Sequence, residues 1–127
     1  MQKQRNRGIL MEHKKTFING EWMDGTSGRI LQSVNPSTGE VIAEVRENSI
    51  SDVKAAVTAA KTAFYEERTW RDMDVQTRSD ILLHIASLVE ENLENIAETE
   101  AMDNGKPLRE AEADVDDAVH CFRYYAG

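Results

Sequence analysis

Apolar and polar residues change their period once along this chain, close to residue 50. Before that point the pattern is one of short alternating runs broken by turn residues. Phe17 and Ile18 lead into Asn19-Gly20 and then Glu21-Trp22. Asn-Gly suits a two-residue hairpin because both residues tolerate positive φ. Asp24-Gly25 and Ser27-Gly28 are further turn signals. Arg29 to Val34 reads as a strand, and Asn35-Pro36-Ser37-Thr38-Gly39 as a turn in which Pro fixes φ and Gly releases it. Glu40 to Val45 resumes a strand with Val41, Ala43 and Val45 on one face.

After residue 50 the apolar residues recur every third and fourth position, which predicts three helices. The first begins near Ser51, an N-cap candidate, with Asp52 in the first turn where the helix dipole favours an acid. Its apolar face is Val53, Ala56, Val57, Ala60 and Phe64. The second runs from about Asp74 to Asp103, with Leu82, Ile85, Val89, Leu93 and Ile96 in one stripe. Asn104-Gly105 followed by Pro107 is a stop signal. The third opens at Pro107, placed at the first helical position. Leu108, Ala111, Val115, Ala118, Val119, Phe122 and Tyr125 share one face of it. The resulting class is α+β: hairpin strands, then three helices.

Composition narrows the function. The chain has 127 residues and a net charge of -8. Residues 1–15 hold five bases and one acid, so the remainder is strongly acidic. An acidic body lacks the basic footprint that nucleic acid requires. No run approaches the about eighteen apolar residues of a membrane span. Residues 1–13 have no periodicity and are expected to be a disordered leader. Met11 is a candidate translation start, and no secretory signal is present. One cysteine fits a reducing, cytoplasmic setting.

The candidate chemistry is sparse. His120 and Cys121 are adjacent, but neighbours on a helix point about 100° apart and make no nucleophile–base pair. Cys121 is expected to be buried volume. His13, His84 and His120 have no metal-ligand spacing, and Asn35 is followed by proline, so it is no glycosylation sequon. Glu112, Asp114, Asp116 and Asp117 lack the central glycine of a calcium loop and read as a solvated helix face. No phosphate-cradling glycine motif occurs. Glu98, Glu100 and Asp103 crowd the negative end of the second helix. Either Lys106 and Arg109 offset them, or Asp103 binds a cation together with backbone carbonyls.

Taken in order, several segments resemble the NAD(P)-dependent aldehyde dehydrogenase family. They are Phe17-Ile18-Asn19-Gly20-Glu21-Trp22, Val34 to Val45, Ala55 to Phe64, Trp70, Arg78 with Ile81-Leu82, Asp103 to Leu108, and Phe122 to Gly127. The resemblance implies an α/β family fold. Residues 14–127 would form the N-terminal part of its NAD-binding domain, without the central dinucleotide-binding sheet. It also implies a longer parent chain that uses NAD or NADP and assembles as a homodimer or homotetramer. The partner of this piece would be the remainder of that chain, with no nucleic acid and no membrane involved.

The resemblance places the family's chemistry elsewhere. Its nucleophilic cysteine lies in a Gly-Gln-x-Cys context, its general base in Glu-Leu-Gly-Gly, and its oxyanion asparagine in Trp-Asn-Phe-Pro. None of these strings occurs in the sequence. No catalytic and no cofactor-binding residue is therefore assigned, and this chain alone is expected to be inactive. A structural sodium or potassium ion is implied at Ser33, Val34 and Asp103. Asp114-Val115-Asp116-Asp117 before Phe122-Arg123-Tyr124-Tyr125 looks like betaine aldehyde dehydrogenases, and similar patterns occur in members that act on general aliphatic aldehydes. A stand-alone interaction module or a small cation-binding protein remain alternatives.

Overall fold

The computed structural model describes residues 15–127. The leader expected at 1–13, the candidate start Met11 and His13 lie outside the described residues. The chain forms two compact units that divide between Ala60 and Lys61.

The first unit is two small antiparallel sheets and a helix. β1 (Thr16–Ile18) pairs with β2 (Glu21–Met23) across Asn19 and Gly20. Both turn residues take positive φ, 53° and 81°, as a primed two-residue hairpin requires. Phe17 and Trp22 are direct cross-strand partners with ring centroids 5.1 Å apart. Aromatic pairs of this kind stabilise short ladders that are marginal alone. β3 (Ile30–Val34) pairs with β4 (Val41–Arg46), and the register shifts between Ser33 and Val34. The connecting turn closes through Asn35, whose carbonyl accepts from Gly39 N at 2.8 Å and whose side chain accepts from Ser37 N at 2.8 Å.

α1 (Ile50–Thr62) is capped two residues earlier than the sequence suggests. Ser49, not Ser51, is its N-cap: Asp52 N donates to Ser49 Oγ at 3.3 Å, and Ser49 N donates to Asp52 Oδ2 at 2.8 Å. This is the reciprocal capping arrangement with Asp in place of Glu. Val53 and Val57, on the apolar face expected to pack, are about half exposed.

The second unit opens with a wider, π-helical turn over Ala63–Glu67. Arg68 N bonds to Ala63 O at 3.0 Å, and Arg68 ends the turn in a left-handed conformation, φ 56°. The one long helix expected from Asp74 to Asp103 divides into α2 (Val75–Glu91) and α3 (Leu93–Asn104). The break is at Asn92, whose side-chain amide donates to Leu88 O at 2.8 Å. An asparagine that competes for a helix carbonyl favours an interruption. Gly105, φ 80°, caps α3 and donates to Ala101 O at 3.0 Å. Pro107 stands just before α4 (Leu108–Ala126) as its N-cap, not inside it, since its ψ of 138° is extended.

The core of this unit is built from small side chains. Ala86, Ala97, Ala111, Val115 and Val119 are buried, and Val89, Leu93 and Ala101 pack against part of that cluster. Small residues let helix axes approach closely, at the expense of apolar area per residue. On α4 the buried stripe runs strictly every fourth residue, 111, 115 and 119, so Ala118 and Tyr125 of the expected face stay exposed. Ser79 Oγ donates to Ala126 O at 2.5 Å, and Arg123 reaches Glu90 at 2.5 Å, tying α2 to α4.

Candidate functional site

The residues expected to bind a monovalent cation fall in both units. Ser33 and Val34 belong to the first, at the irregularity in β3. Ser33 pairs with Ala43 and Val34 with Val41, so Ile42 is the extra residue of a bulge. Bulges locally disrupt a ladder and re-aim its backbone groups. Asp103 belongs to the second unit, exposed in the last turn of α3. Among the described residues, no group of three or more His, Cys, Asp or Glu is arranged to hold a metal ion.

The acid cluster at the end of α3 is partly neutralised in place. Lys106 Nζ donates to Glu100 at 2.6 Å and also to Asp114 on α4. Hydrogen bonds to Asp114 first, then Glu100, hold the ammonium above its ordinary pKa. Asn104 Oδ1 accepts from Lys106 N at 2.8 Å, which fixes the turn that carries the lysine. Arg109, the other offsetting base in the sequence reading, pairs with its neighbour Glu110 at 3.2 Å.

Cys121 is exposed, contrary to the expectation of buried volume. It lies about 200° around the helix from Val119, which is fully buried. His120 instead pairs with Asp116 one turn back, Nε2 to Oδ2 3.4 Å. His84 is exposed, as are Glu112, Asp116 and Asp117, which form the solvated face expected of them.

The strongest polar centre is one that the sequence reading treated only as a helix-start acid. Asp52 is buried, and its carboxylate accepts from three donors: Ser49 N at 2.8 Å, Thr26 N at 2.9 Å, and the Thr26 hydroxyl, which lies 2.8 Å from each oxygen. These donors, the Ser49 amide foremost, bring its pKa down to about 2. Nearby, Arg29 clamps Glu47 with Nε at 2.5 Å and a terminal nitrogen at 2.7 Å, and Ser27 Oγ donates at 3.0 Å. That clamp lowers the Glu47 carboxyl. The available signal was the Ser49-x-x-Asp52 spacing; its partner Thr26 lies too far along the chain to be read from pattern.

Asp52 accepts from the Ser49 amide at 2.8 Å and Asp74 from the Thr77 amide at 2.9 Å, so one backbone amide at the start of each of α1 and α2 is held by a side chain.

The sequence pattern described as "Aldehyde dehydrogenase family" matches residues 22–127. The chain belongs to this family. It is 42% identical over 123 residues to the mitochondrial aldehyde dehydrogenase family 2 member B4 of Arabidopsis thaliana, covering 96% of this chain and 23% of that protein. Among solved structures, an NAD-dependent aldehyde dehydrogenase from Sinorhizobium meliloti superposes with a TM-score of 0.88 at 28% identity, covering 99% of this chain and 25% of that one. A betaine aldehyde dehydrogenase from Staphylococcus aureus, solved with NAD+, gives 0.85 at 35% identity over 90% of this chain and 23% of its own. The chain thus spans about a quarter of the length of these relatives. The family fold accounts for the hairpins followed by helices. No described helix is long and apolar enough to cross a membrane.

Proposed function

We propose that this chain is the N-terminal part of a longer NAD(P)-dependent aldehyde dehydrogenase that oxidises an aldehyde to a carboxylate. The observation that carries this reading is the family match over residues 22–127. Within that protein the chain serves architecture. It contributes to the outer shell of the dinucleotide-binding domain, and residues 14–127 belong to that domain.

The exposed apolar side chains fit such a role. Trp22 is 68% exposed, Val53 54% and Phe64 53%. Side chains of this size are normally withdrawn from water, and large exposed patches mark surfaces that another segment covers. The rest of the longer chain is the proposed cover. The cysteine, carboxylate and amide groups that act on the aldehyde belong to that remainder, where NAD(P) accepts the hydride. The 127 residues alone are inactive in this reading.

Betaine aldehyde is the substrate proposed first. The protein is further proposed to work in the cytoplasm as a homodimer or homotetramer. A sodium or potassium ion would be held by the backbone oxygens of Ser33 and Val34 and the carboxylate of Asp103, oxygen donors suited to a hard cation. Its role would be structural.

The test compares the 127-residue chain with the full natural gene product. Aldehyde-dependent reduction of NAD+ or NADP+ is expected from the longer protein and none from the chain alone. A gene product of 127 residues would favour a stand-alone module instead, and turnover by the isolated chain would overturn the reading that the chain alone is inactive. Replacing sodium and potassium by a bulky organic cation should lower the melting temperature of the longer protein, and Asp103→Asn should remove that difference.

A further inference from the structure

Two Asn-Gly dipeptides occur in the sequence, Asn19-Gly20 and Asn104-Gly105, and the fold places them in opposite circumstances. Asn-Gly is the dipeptide most open to deamidation, because glycine offers no side chain to shield its own amide nitrogen. That nitrogen attacks Cγ of the asparagine, ammonia leaves, and a five-membered succinimide forms. Water then opens the ring at either carbonyl, giving aspartate or isoaspartate. The net change is amide plus water to acid plus ammonia, and no oxidant or enzyme is needed.

Asn104 is locked against this attack. It ends α3, and the attacking nitrogen, Gly105 N, is bonded to Ala101 O at 3.0 Å. The side chain is held at both ends: Oδ1 accepts from Lys106 N at 2.8 Å, and Nδ2 donates to Glu100 at 3.4 Å. Ring closure there must break the helix cap and both side-chain bonds.

Asn19 has none of these restraints. It is exposed at the tip of the β1–β2 hairpin, in a left-handed conformation with φ 53°. No described residue holds its side-chain amide. A β-carbon built on Gly20 would meet nothing within 4 Å, so no neighbour crowds the residue that supplies the attacking nitrogen. The flanking strands are three residues each, and so short a ladder frays readily. The other asparagines for which the structure shows a restraint are also excluded. Asn35 precedes a proline, whose nitrogen carries no proton; Asn48 exchanges bonds with Thr16 Oγ1 at 3.1 and 3.2 Å; Asn92 is bonded to Leu88 O.

We propose that Asn19 is a site of spontaneous deamidation and that the fold protects Asn104. The consequence is local. Aspartate at 19 keeps the turn, since Asp tolerates positive φ. Isoaspartate adds a methylene to the main chain in a two-residue turn and destroys the register that sets Phe17 opposite Trp22.

The test uses the full natural gene product, incubated in mildly alkaline buffer and then digested for peptide mass and isoaspartate assay. Conversion at Asn19 is expected to run at least about tenfold faster than at Asn104, because Asn104 reacts only after local opening. In denaturant the two sites should convert within about twofold of each other, since no native restraint survives there. Equal rates in the folded protein, faster reaction at Asn104, or an inert Asn19 would overturn the proposal.

Discussion

The carboxylate of Asp52 accepts both the backbone amide and the hydroxyl of Thr26, at 2.9 and 2.8 Å. One side chain thereby caps α1 and anchors the loop that leaves β2. Asp52→Asn keeps the shape and removes the charge, so the Thr26 and Ser49 donors lose a charged acceptor. The folded pKa of about 2 lies below the ordinary 3.8, so the stabilisation is complete above 3.8 and drains away as pH falls toward 2. Thermal melts at neutral and acid pH should show the wild-type chain losing stability across that interval. The Asp52→Asn variant should melt lower at neutral pH and change less on acidification.

Gly25 sits where a side chain has no room. A β-carbon there would lie 2.3 Å from Glu47 O and 2.4 Å from Arg46 O, both backbone atoms. Gly25→Ala must displace the segment after β4 and should destabilise by about 1–3 kcal/mol. Gly28→Ala meets nothing within 4 Å, but its φ of 81° is itself unfavourable to alanine. Urea titrations of the two variants would separate a contact clash from a conformational penalty: only Gly25→Ala should disturb the Ser27–Glu47 pairing in amide exchange.

Val119 is the largest fully buried side chain of the described residues, while Tyr124, five positions on, is 77% exposed. Val119→Ala should cost roughly 2 kcal/mol through lost burial and the cavity left behind. Tyr124→Ala in the 127-residue chain should stay within about 0.5 kcal/mol of the parent. Denaturant midpoints check both. In the longer protein the Tyr124 effect should grow if the proposed cover is real.

Lys106 joins Glu100 on α3 to Asp114 on α4. Because both partners raise its pKa above 10.5, the link persists through neutral pH and is lost as pH rises through that higher value. Lys106→Met should lower the melting temperature, and added salt should shrink the difference because the groups are partly exposed. A double-mutant cycle with Asp114→Asn should show positive coupling. Additive effects would mean that the pair contributes nothing.

Local chemistry made much of this chain legible before any fold was known. Asn19-Gly20 required positive φ at both residues, Gly105 required a left-handed cap, and the shift from alternating to helical spacing near residue 50 separated strands from helices. Segment order alone was enough to suggest the family. Long-range placement was not legible. Ser49 displaced Ser51 as the cap because Asp52 turns back to it while also holding Thr26, 26 residues away. Asn92 cut the long helix because its side chain found Leu88 O, a choice that periodicity does not weigh. Cys121 came out exposed because small residues at 111, 115 and 119 define a narrow buried stripe, and the breadth of a stripe depends on how closely the neighbouring helices approach. Turn and cap preferences act over a few bonds and are written in adjacent residues. Burial and anchoring arise from contacts between segments distant in the chain, which exist only once those segments have packed.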